Sequence, residues 1–188
     1  MFARTERLLL RPGWADDAPA LAEAIGHEAV AKKLAHLPWP YGAAEAQAFL
    51  SRPYDPCAPE ALIFLRTAGK PRLIGGVGLH PNAGELELGY WISPSYWGLG
   101  FATEAGRAMV HVARNALQRR TLAARHFVDN PASANVLHKL GFARTGKVTP
   151  LHCAARGQDI MAIDYACDLT AAATPSMDEM PDDARLAA

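Results

Sequence analysis

The chain has 188 residues, half of them hydrophobic and a fifth charged, which is typical of one globular domain with a substantial core. Its 19 basic residues balance its 19 acidic ones. We therefore expect no nucleic-acid partner, because binding to a phosphate backbone depends on an excess of lysine and arginine. No apolar run approaches the roughly 20 residues that cross a bilayer, and the chain does not begin like a signal peptide, so we expect no membrane partner.

The three cysteines, Cys57, Cys153 and Cys167, are odd in number and lack the spacing of metal ligands. We therefore expect free thiols, no metal and a reducing, cytoplasmic location.

The first half of the chain alternates short strands and helices. A strand is predicted over residues 5–11, before Pro12, and a helix that Asp16 or Asp17 caps and that ends near Gly26. A short helix over 28–34, a proline-rich loop over 37–41 and a helix over 43–50 follow. Strands over 62–66 and 73–79 flank a turn at 69–71, which predicts a hairpin.

The second half contains the strongest local patterns. Apolar residues alternate along 85–92, as in a half-buried strand, and a stripe from Ala102 to Ala116 predicts a helix over 103–118. A strand over 121–128 is followed by a helix with Asn130 as N-cap and Pro131 as first residue, ending near Gly141. Strands over 142–148 and 160–167 complete a mixed α/β sheet, and residues 170–188 are interpreted as a C-terminal tail.

The run from Trp97 to Ala105 connects the strand over 85–92 to the helix that follows. A glycine turn at this junction directs free backbone N–H groups and the positive end of a helix at one point, which suits a phosphate or pyrophosphate. Gly98 and Gly100 allow close approach of a ligand because they carry no Cβ. A nucleotide-binding function is the weaker alternative, since the run has neither a P-loop lysine nor the third glycine of a dinucleotide fingerprint.

Several segments together resemble the GNAT N-acetyltransferases. LGYWI at 88–92 and YWGLGFATEA at 96–105 are similar to the acetyl-CoA-binding segment of that family, and NPASAN at 130–135 with KLGF at 139–142 is similar to its second signature. TERLLLRP at 5–12 and LPWPY at 37–41 resemble the branch that acetylates the N-terminal alanine or serine of ribosomal proteins. The resemblance extends over about residues 5–168.

The resemblance implies a single N-acetyltransferase domain over 1–169. Its fold would be a mostly antiparallel twisted sheet of about seven strands, with about four helices on its faces. Acetyl-CoA would be the acetyl donor, its pyrophosphate on the glycine turn and its pantetheine arm along the strand that ends at Ile92. The residues implied to contact it are Trp91, Ile92, Trp97, Gly98, Leu99, Gly100, Phe101, Ala102, Thr103, Asn130, Ser133, Asn135 and Lys139. The family has glutamine or arginine at the position of Trp97, although this branch often has tryptophan.

Two residues are candidates for the proton transfers that acetylation of an amine requires. Glu87 is the candidate base, acting directly or through water; the alternative is a solvated or salt-bridged strand residue. Many relatives protonate the departing thiolate with a tyrosine at the position of Leu137. Ser133 matches the donor proposed for the ribosomal branch; the alternative is that it only satisfies local backbone groups.

The sequence does not identify the acceptor amine. Trp39, Tyr41 and His152 are candidate substrate-binding residues, although aromatic residues of a proline-rich loop often only anchor it. The acceptor is a peptide N-terminus or a small-molecule amine, attacked directly in a ternary complex. The alternative function is a catalytically silent acyl-CoA-binding module. Dimerisation is common in the family, so a homodimer is a further expectation.

Overall fold

One mixed sheet of eight strands organises the protein in its computed structural model, which describes residues 1–82 and 84–170. The order across the sheet is β1-β2-β3-β4-β5-β6-β8-β7. The strands are β1 (Ala3–Arg4), β2 (Leu8–Arg11), β3 (Glu60–Leu65), β4 (Arg72–Asn82), β5 (Glu85–Ile92), β6 (Thr121–Phe127), β7 (Ala143–Cys153) and β8 (Gln158–Asp168).

Five α-helices among the described residues cover the two faces of the sheet. They are α1 (Ala18–Ile25), α2 (Glu28–Ala31), α3 (Ala43–Leu50), α4 (Phe101–Asn115) and α5 (Pro131–Lys139). On the face covered by α4 and α5, called the α4 face below, Met109 and Leu137 pack with Leu79 and Leu88. On the opposite face, called the α1 face, α1 and α3 pack against Leu62, Phe64 and Leu73. The alternation of side chains along each strand therefore divides the core into two layers.

Neighbouring strands are antiparallel except β5 and β6, which are parallel. Within the described ranges, the register joins β5 to β6 at one pair, Glu87 with Ala123. Beyond that pair, no further pairing among the described residues joins the two strands, although β5 continues to Ile92 and β6 to Phe127. This parting of the two strands leaves the later part of β5, toward the glycine turn, without a paired neighbour on that side.

The mixed sheet predicted from the sequence is confirmed, with one strand and one helix more than the approximate numbers expected. β1 is only two residues long, too short for a periodic pattern. β7 and β8 extend beyond the predicted ranges. Almost every residue of β7 is exposed, so backbone pairing with β8 defines the strand without the apolar alternation that prediction depends on.

The start of α4 differs from the prediction, and the start of α5 agrees with it. α4 begins at Phe101, two residues before the predicted start, because Gly100 adopts a left-handed conformation at the N-cap. Asn130 is the N-cap of α5, as predicted, but its side chain makes no capping hydrogen bond and instead accepts one from Lys33 Nζ at 3.5 Å. The predicted tail, apart from Thr170, lies outside the described residues.

Candidate active site

The free edge of β5 forms one wall of the opening in the sheet. Ser93 donates its backbone N–H to Ile74 of β4. Because successive residues of a strand direct their N–H and C=O groups to opposite sides, Tyr90 and Ile92 direct theirs away from β4, toward the gap that β6 leaves. Apart from the Ile92 carbonyl, which already accepts a hydrogen bond from the Trp97 indole, these groups are placed to pair with an extended amide chain, as an added strand would.

The glycine turn lies at the end of this edge. Gly98 and Gly100 have φ angles of 76° and 82°, a left-handed conformation that glycine adopts without steric cost. A Cβ on Gly98 would meet no described atom within 4 Å, and one on Gly100 would meet only the end of Arg7, at 3.5 Å. The space above the turn is thus open to a ligand, and the N-terminus of α4 opens toward it with no described side chain capping Gly100.

Arg7 fixes the position of this turn. It forms an ion pair with Glu104 at 2.7 Å, donates to the Leu99 carbonyl at 3.0 Å and lies over the ring of Phe101. Glu104 also accepts hydrogen bonds from the Thr5 hydroxyl at 2.6 Å and from the Arg7 backbone N–H at 2.9 Å. The start of β2 is thereby tied to both the turn and the first turn of α4.

An open depression of about 300 Å³ lies beside the N-terminus of α4. Its lining residues are Glu6, Arg7, Gly100, Thr103, Glu104, Arg107 and Lys139. Three of these side chains are cationic, and they come from the β2 approach, α4 and α5. The structure therefore places the predicted Lys139 beside the predicted Gly100 and Thr103, in surroundings that suit a phosphate group.

Trp97 connects the turn to the end of β5. Its indole Nε1 donates to the Ile92 carbonyl at 2.6 Å, while 43% of the residue stays exposed. Lys33 lies 5.8 Å from the indole ring and donates to Asn130 across the gap. Trp97 and Asn130, both predicted to contact the donor, therefore stand on opposite sides of the opening between β5 and α5.

Tyr90 links the same two elements more deeply. Its hydroxyl lies 2.8 Å from Ser133 Oγ and donates to the Ser133 carbonyl at 3.2 Å. Burial raises the pKa of Tyr90 to about 12, because the charged phenolate would lose its hydration. Ser133 thus faces the inner end of β5 on the α4 face, whereas Leu137, at the position of the family's tyrosine, is buried in the core.

Glu87 lies on the α1 face, where β5 and β6 begin to part. Its Oε2 accepts a hydrogen bond from Asn82 Nδ2 at 2.7 Å and forms an ion pair with Arg125 Nε at 2.9 Å. The salt-bridged arrangement considered from the sequence is therefore present. It directs the carboxylate toward the side of the sheet that carries α1, α2 and α3.

Four predicted contacts are less central than the sequence indicated. The Trp91 indole lies across Gly76 in the second core layer, so it does not line the free edge of β5. Asn135 and His152 are exposed, and His152 pairs with Asp159 at 3.0 Å on the β7–β8 hairpin. Tyr41 packs beside the same core layer as Trp91, which favours the anchoring alternative for that residue.

Two parts of this site were missed from the sequence. The alternation of β5 includes Tyr90, yet its partner Ser133 is 43 residues away in sequence. Arg7 and Glu104 are 97 residues apart, and no local pattern connects them.

Two further observations on the described part of the chain concern metal binding and membrane-spanning helices. Across residues 1–82 and 84–170, no three His, Cys, Asp or Glu side chains form a group that could hold a metal ion. None of the helices described above has the length and apolar character needed to cross a membrane.

Comparison with known proteins identifies the family. An acetyltransferase (GNAT) domain model matches residues 7–143. A curated relative, the uncharacterized N-acetyltransferase YoaA of Bacillus subtilis (strain 168), is 39% identical over 77 residues. That match covers 39% of this chain and 44% of the relative, so it spans less than half of the relative's length.

Solved structures show the same fold over nearly the whole chain. A GNAT-family acetyltransferase from Bacillus anthracis has a TM-score of 0.77 and 23% identity, covering 90% of this chain and 99% of that one. RimL, a ribosomal L7/L12 alpha-N-protein acetyltransferase solved with coenzyme A, has a TM-score of 0.72 and 22% identity, covering 92% and 100%. With the family model matching most of its length, the chain belongs to the GNAT family of acetyltransferases, enzymes that use acetyl-CoA as acetyl donor.

Proposed function

We propose that the protein transfers the acetyl group of acetyl-CoA to a primary amine by direct attack in a ternary complex. The observation that carries the proposal is the parting of β5 from β6 after Glu87, next to a glycine turn with open space above it. An edge of free strand and an anion-binding turn at one end are the two features that a pantetheine arm with a pyrophosphate requires.

The donor would lie along this opening. Its pyrophosphate would rest on the turn from Gly98 to Thr103, with Leu99, Phe101 and Ala102 contributing backbone, and Arg107 and Lys139 would neutralise phosphate charge. The pantetheine amides would pair with the edge of β5. A backbone N–H at Tyr90 or Ile92 would then polarise the thioester carbonyl and stabilise the oxyanion that forms during attack.

The acceptor would approach from the α1 face. Glu87 is the proposed carboxylate that meets its ammonium group and draws off a proton, directly or through water. The amine nitrogen then forms a bond to the acetyl carbon, and the C–S bond breaks with its electron pair on sulfur. Ser133 is the proposed proton donor to that thiolate, because Tyr90 holds it beside the inner end of the cleft.

The nature of the acceptor is proposed only as a class. RimL acts on a protein N-terminus according to its description, and the loop with Trp39 and Tyr41 lies on the same side of the sheet as Glu87. A peptide N-terminus is therefore the first acceptor to test, and a small-molecule amine the second. Free thiols at Cys57, Cys153 and Cys167 are consistent with a reducing, cytoplasmic location.

The experiment follows thiol release. Purified protein is incubated with acetyl-CoA and, separately, with peptides that begin with alanine or serine, amino acids, polyamines and hydroxylamine. We expect free CoA to appear at a rate that depends on the amine, together with an acetylated product of the matching mass.

The alternative of a silent acyl-CoA-binding module makes a different prediction. Calorimetry would then show tight acetyl-CoA binding while no amine accelerates thiol release. That combination of results would overturn the proposed function but leave the proposed binding site standing.

A further inference from the structure

His80 of β4 pairs with Glu60 of β3, 20 residues away in the chain, and no local sequence pattern connects the two. Its Nδ1 lies 3.2 Å from Glu60 Oε1 on the α1 face. Half of the imidazole is exposed, and one third of the Glu60 side chain. A carboxylate that accepts a hydrogen bond from Nδ1 leaves the other ring nitrogen, Nε2, as the acceptor in the neutral imidazole.

Two glycines make room for this ring. Gly78 and Gly89 are directly opposed on β4 and β5. A Cβ on Gly89 would lie 3.0 Å from His80 Nε2, and a Cβ on Gly78 would lie 3.3 Å from His80 Cε1. The imidazole therefore lies over the two glycines, with Nδ1 toward β3 and Nε2 over β5. A Cβ at Gly89 would press on the ring itself, whereas one at Gly78 would first meet Glu60 Cγ, at 2.9 Å.

This orientation brings Nε2 to the reaction side of the sheet. Gly89 immediately precedes Tyr90 on β5, so Nε2 lies over the strand whose free edge we propose for the thioester. Glu87 is the direct cross-strand partner of His80, and side chains of such pairs stand on the same face within about 5.5 Å of each other at Cβ. A carboxylate and an imidazole thus flank the place where an amine would attack.

This inference rests on the proposed function. We propose that Glu87 takes the proton from the acceptor ammonium and passes it on to Nε2 of His80, with Glu60 as the positioning residue that holds the ring. The N–H bond of the ammonium breaks and its electron pair stays on nitrogen, which then attacks the acetyl carbon. The half-exposed imidazolium returns the proton to solvent.

The charges around the pair support this assignment. Burial favours the neutral form of Glu60, but His80 and Arg52 outweigh it and hold the pKa of that carboxyl below its usual range. Glu60 is therefore ionised at neutral pH and can accept from Nδ1. The charged groups facing His80 are Glu60 of β3 and Glu87 of β5, each with its own arginine partner, Arg52 and Arg125.

Kinetics provide the first test. The variants are His80→Gln, Glu60→Gln and, as a matched control, His111→Gln on the exposed side of α4. With a peptide that carries an N-terminal serine as acceptor, we expect His80→Gln to lower kcat by about 10²-fold. It should also flatten the rising limb of the pH profile, leaving acetyl-CoA affinity within twofold of the parent. The kcat of Glu60→Gln should lie between those of His80→Gln and the parent, and the kcat of His111→Gln should equal that of the parent.

Two kinetic outcomes would overturn the assignment. One is a pH profile of His80→Gln that overlays that of the parent. The other is a pH profile that loses its rising limb in Glu87→Gln but keeps it in His80→Gln. That result would show that the proton stays on Glu87 and does not reach His80.

A spectroscopic test needs no acceptor. Long-range ¹H–¹⁵N NMR of the neutral imidazole reports which nitrogen carries the proton, and we expect Nδ1–H for His80. Gly89→Ala should displace the ring and shift these signals. An Nε2–H tautomer would contradict the inference by itself. Absence of amine-dependent thiol release from the parent would instead contradict the proposed function, so the two failures are distinguishable.

Discussion

The phenol oxygen of Tyr90 lies 2.8 Å from Ser133 Oγ, which joins β5 to α5 where β6 has parted from β5. Because burial raises the pKa of Tyr90 to about 12, the phenol stays protonated at every pH at which enzymes are ordinarily assayed. Its single proton can go to the Ser133 carbonyl or to Ser133 Oγ, and when it goes to Oγ the serine hydroxyl proton is free to point into the cleft. A serine held in this way is suited to protonate a thiolate, and one that merely satisfied its own helix would not need the tyrosine.

Tyr90→Phe removes the contacts of the hydroxyl with Ser133 Oγ and with the Ser133 carbonyl, and keeps the ring. We expect kcat to fall about fivefold, because a neutral hydrogen bond contributes about 1 kcal/mol. The affinity for acetyl-CoA should be nearly unchanged. Ser133→Ala should reduce kcat further, and the double variant should be no slower than Ser133→Ala, because both changes act through one group. Steady-state kinetics measure the cycle, with the exposed Tyr54→Phe as control. Effects that simply add would show that Tyr90 acts independently of Ser133.

Glu87→Gln tests the carboxylate proposed to meet the acceptor. The amide keeps the size of the side chain but loses the charge that pairs with Arg125. We expect kcat/KM for the amine to fall by about 10²-fold while the dissociation constant of acetyl-CoA changes less than threefold. Glu85→Gln, on the exposed start of the same strand, is the matched control and should behave like the parent. Equal losses in both variants would point to a general charge effect.

The elements of the donor site could be predicted because their signals are local. The alternation of β5, the glycine turn and the apolar stripe of α4 each lie within about 15 consecutive residues, so periodicity and turn chemistry identify them. The position of Asn130 as N-cap followed for the same reason.

The parts that escaped prediction depend on residues distant in sequence. The pairing of His80 with Glu60 and the opposition of Gly78 to Gly89 are fixed by strand register, which a single sequence does not display. β7 escaped in part because its side chains are exposed, so backbone pairing alone defines it.

Gly98→Ala separates ligand contact from backbone strain. Gly98 and Gly146 both have positive φ angles, 76° and 86°, and a Cβ on either would meet no described atom within 4 Å. Alanine should therefore cost similar stability at both positions, about 1 kcal/mol. Only Gly98→Ala should weaken acetyl-CoA binding, by at least about 10-fold, since its methyl group would occupy the space proposed for pyrophosphate. Calorimetry measures the acetyl-CoA affinity of each variant, and thermal unfolding measures its stability. Equal affinities would place the pyrophosphate elsewhere.

Arg7→Gln tests the ion pair that anchors the glycine turn. Burial favours the neutral form of Glu104, but hydrogen bonds from Thr5 and Arg7 and the charge of Arg7 outweigh it and lower the pKa of that carboxyl. A carboxyl whose pKa is lowered by folding stabilises the folded state above its unfolded pKa, near 4.5, and that contribution is lost as the pH falls through the lower, folded value.

We therefore expect Arg7→Gln to reduce the free energy of unfolding by about 1 kcal/mol at pH 7, a modest value because 42% of the Arg7 side chain is exposed and screened. The difference between variant and parent should shrink as the pH falls below about 4.5. Urea unfolding at several pH values measures it, with Arg4→Gln on the exposed edge strand as control. Acetyl-CoA affinity should also fall, because Arg7 no longer holds the Leu99 carbonyl and the turn with it. A stability difference that stays constant from pH 7 to pH 3 would show that the ion pair with Glu104 does not account for the role of Arg7.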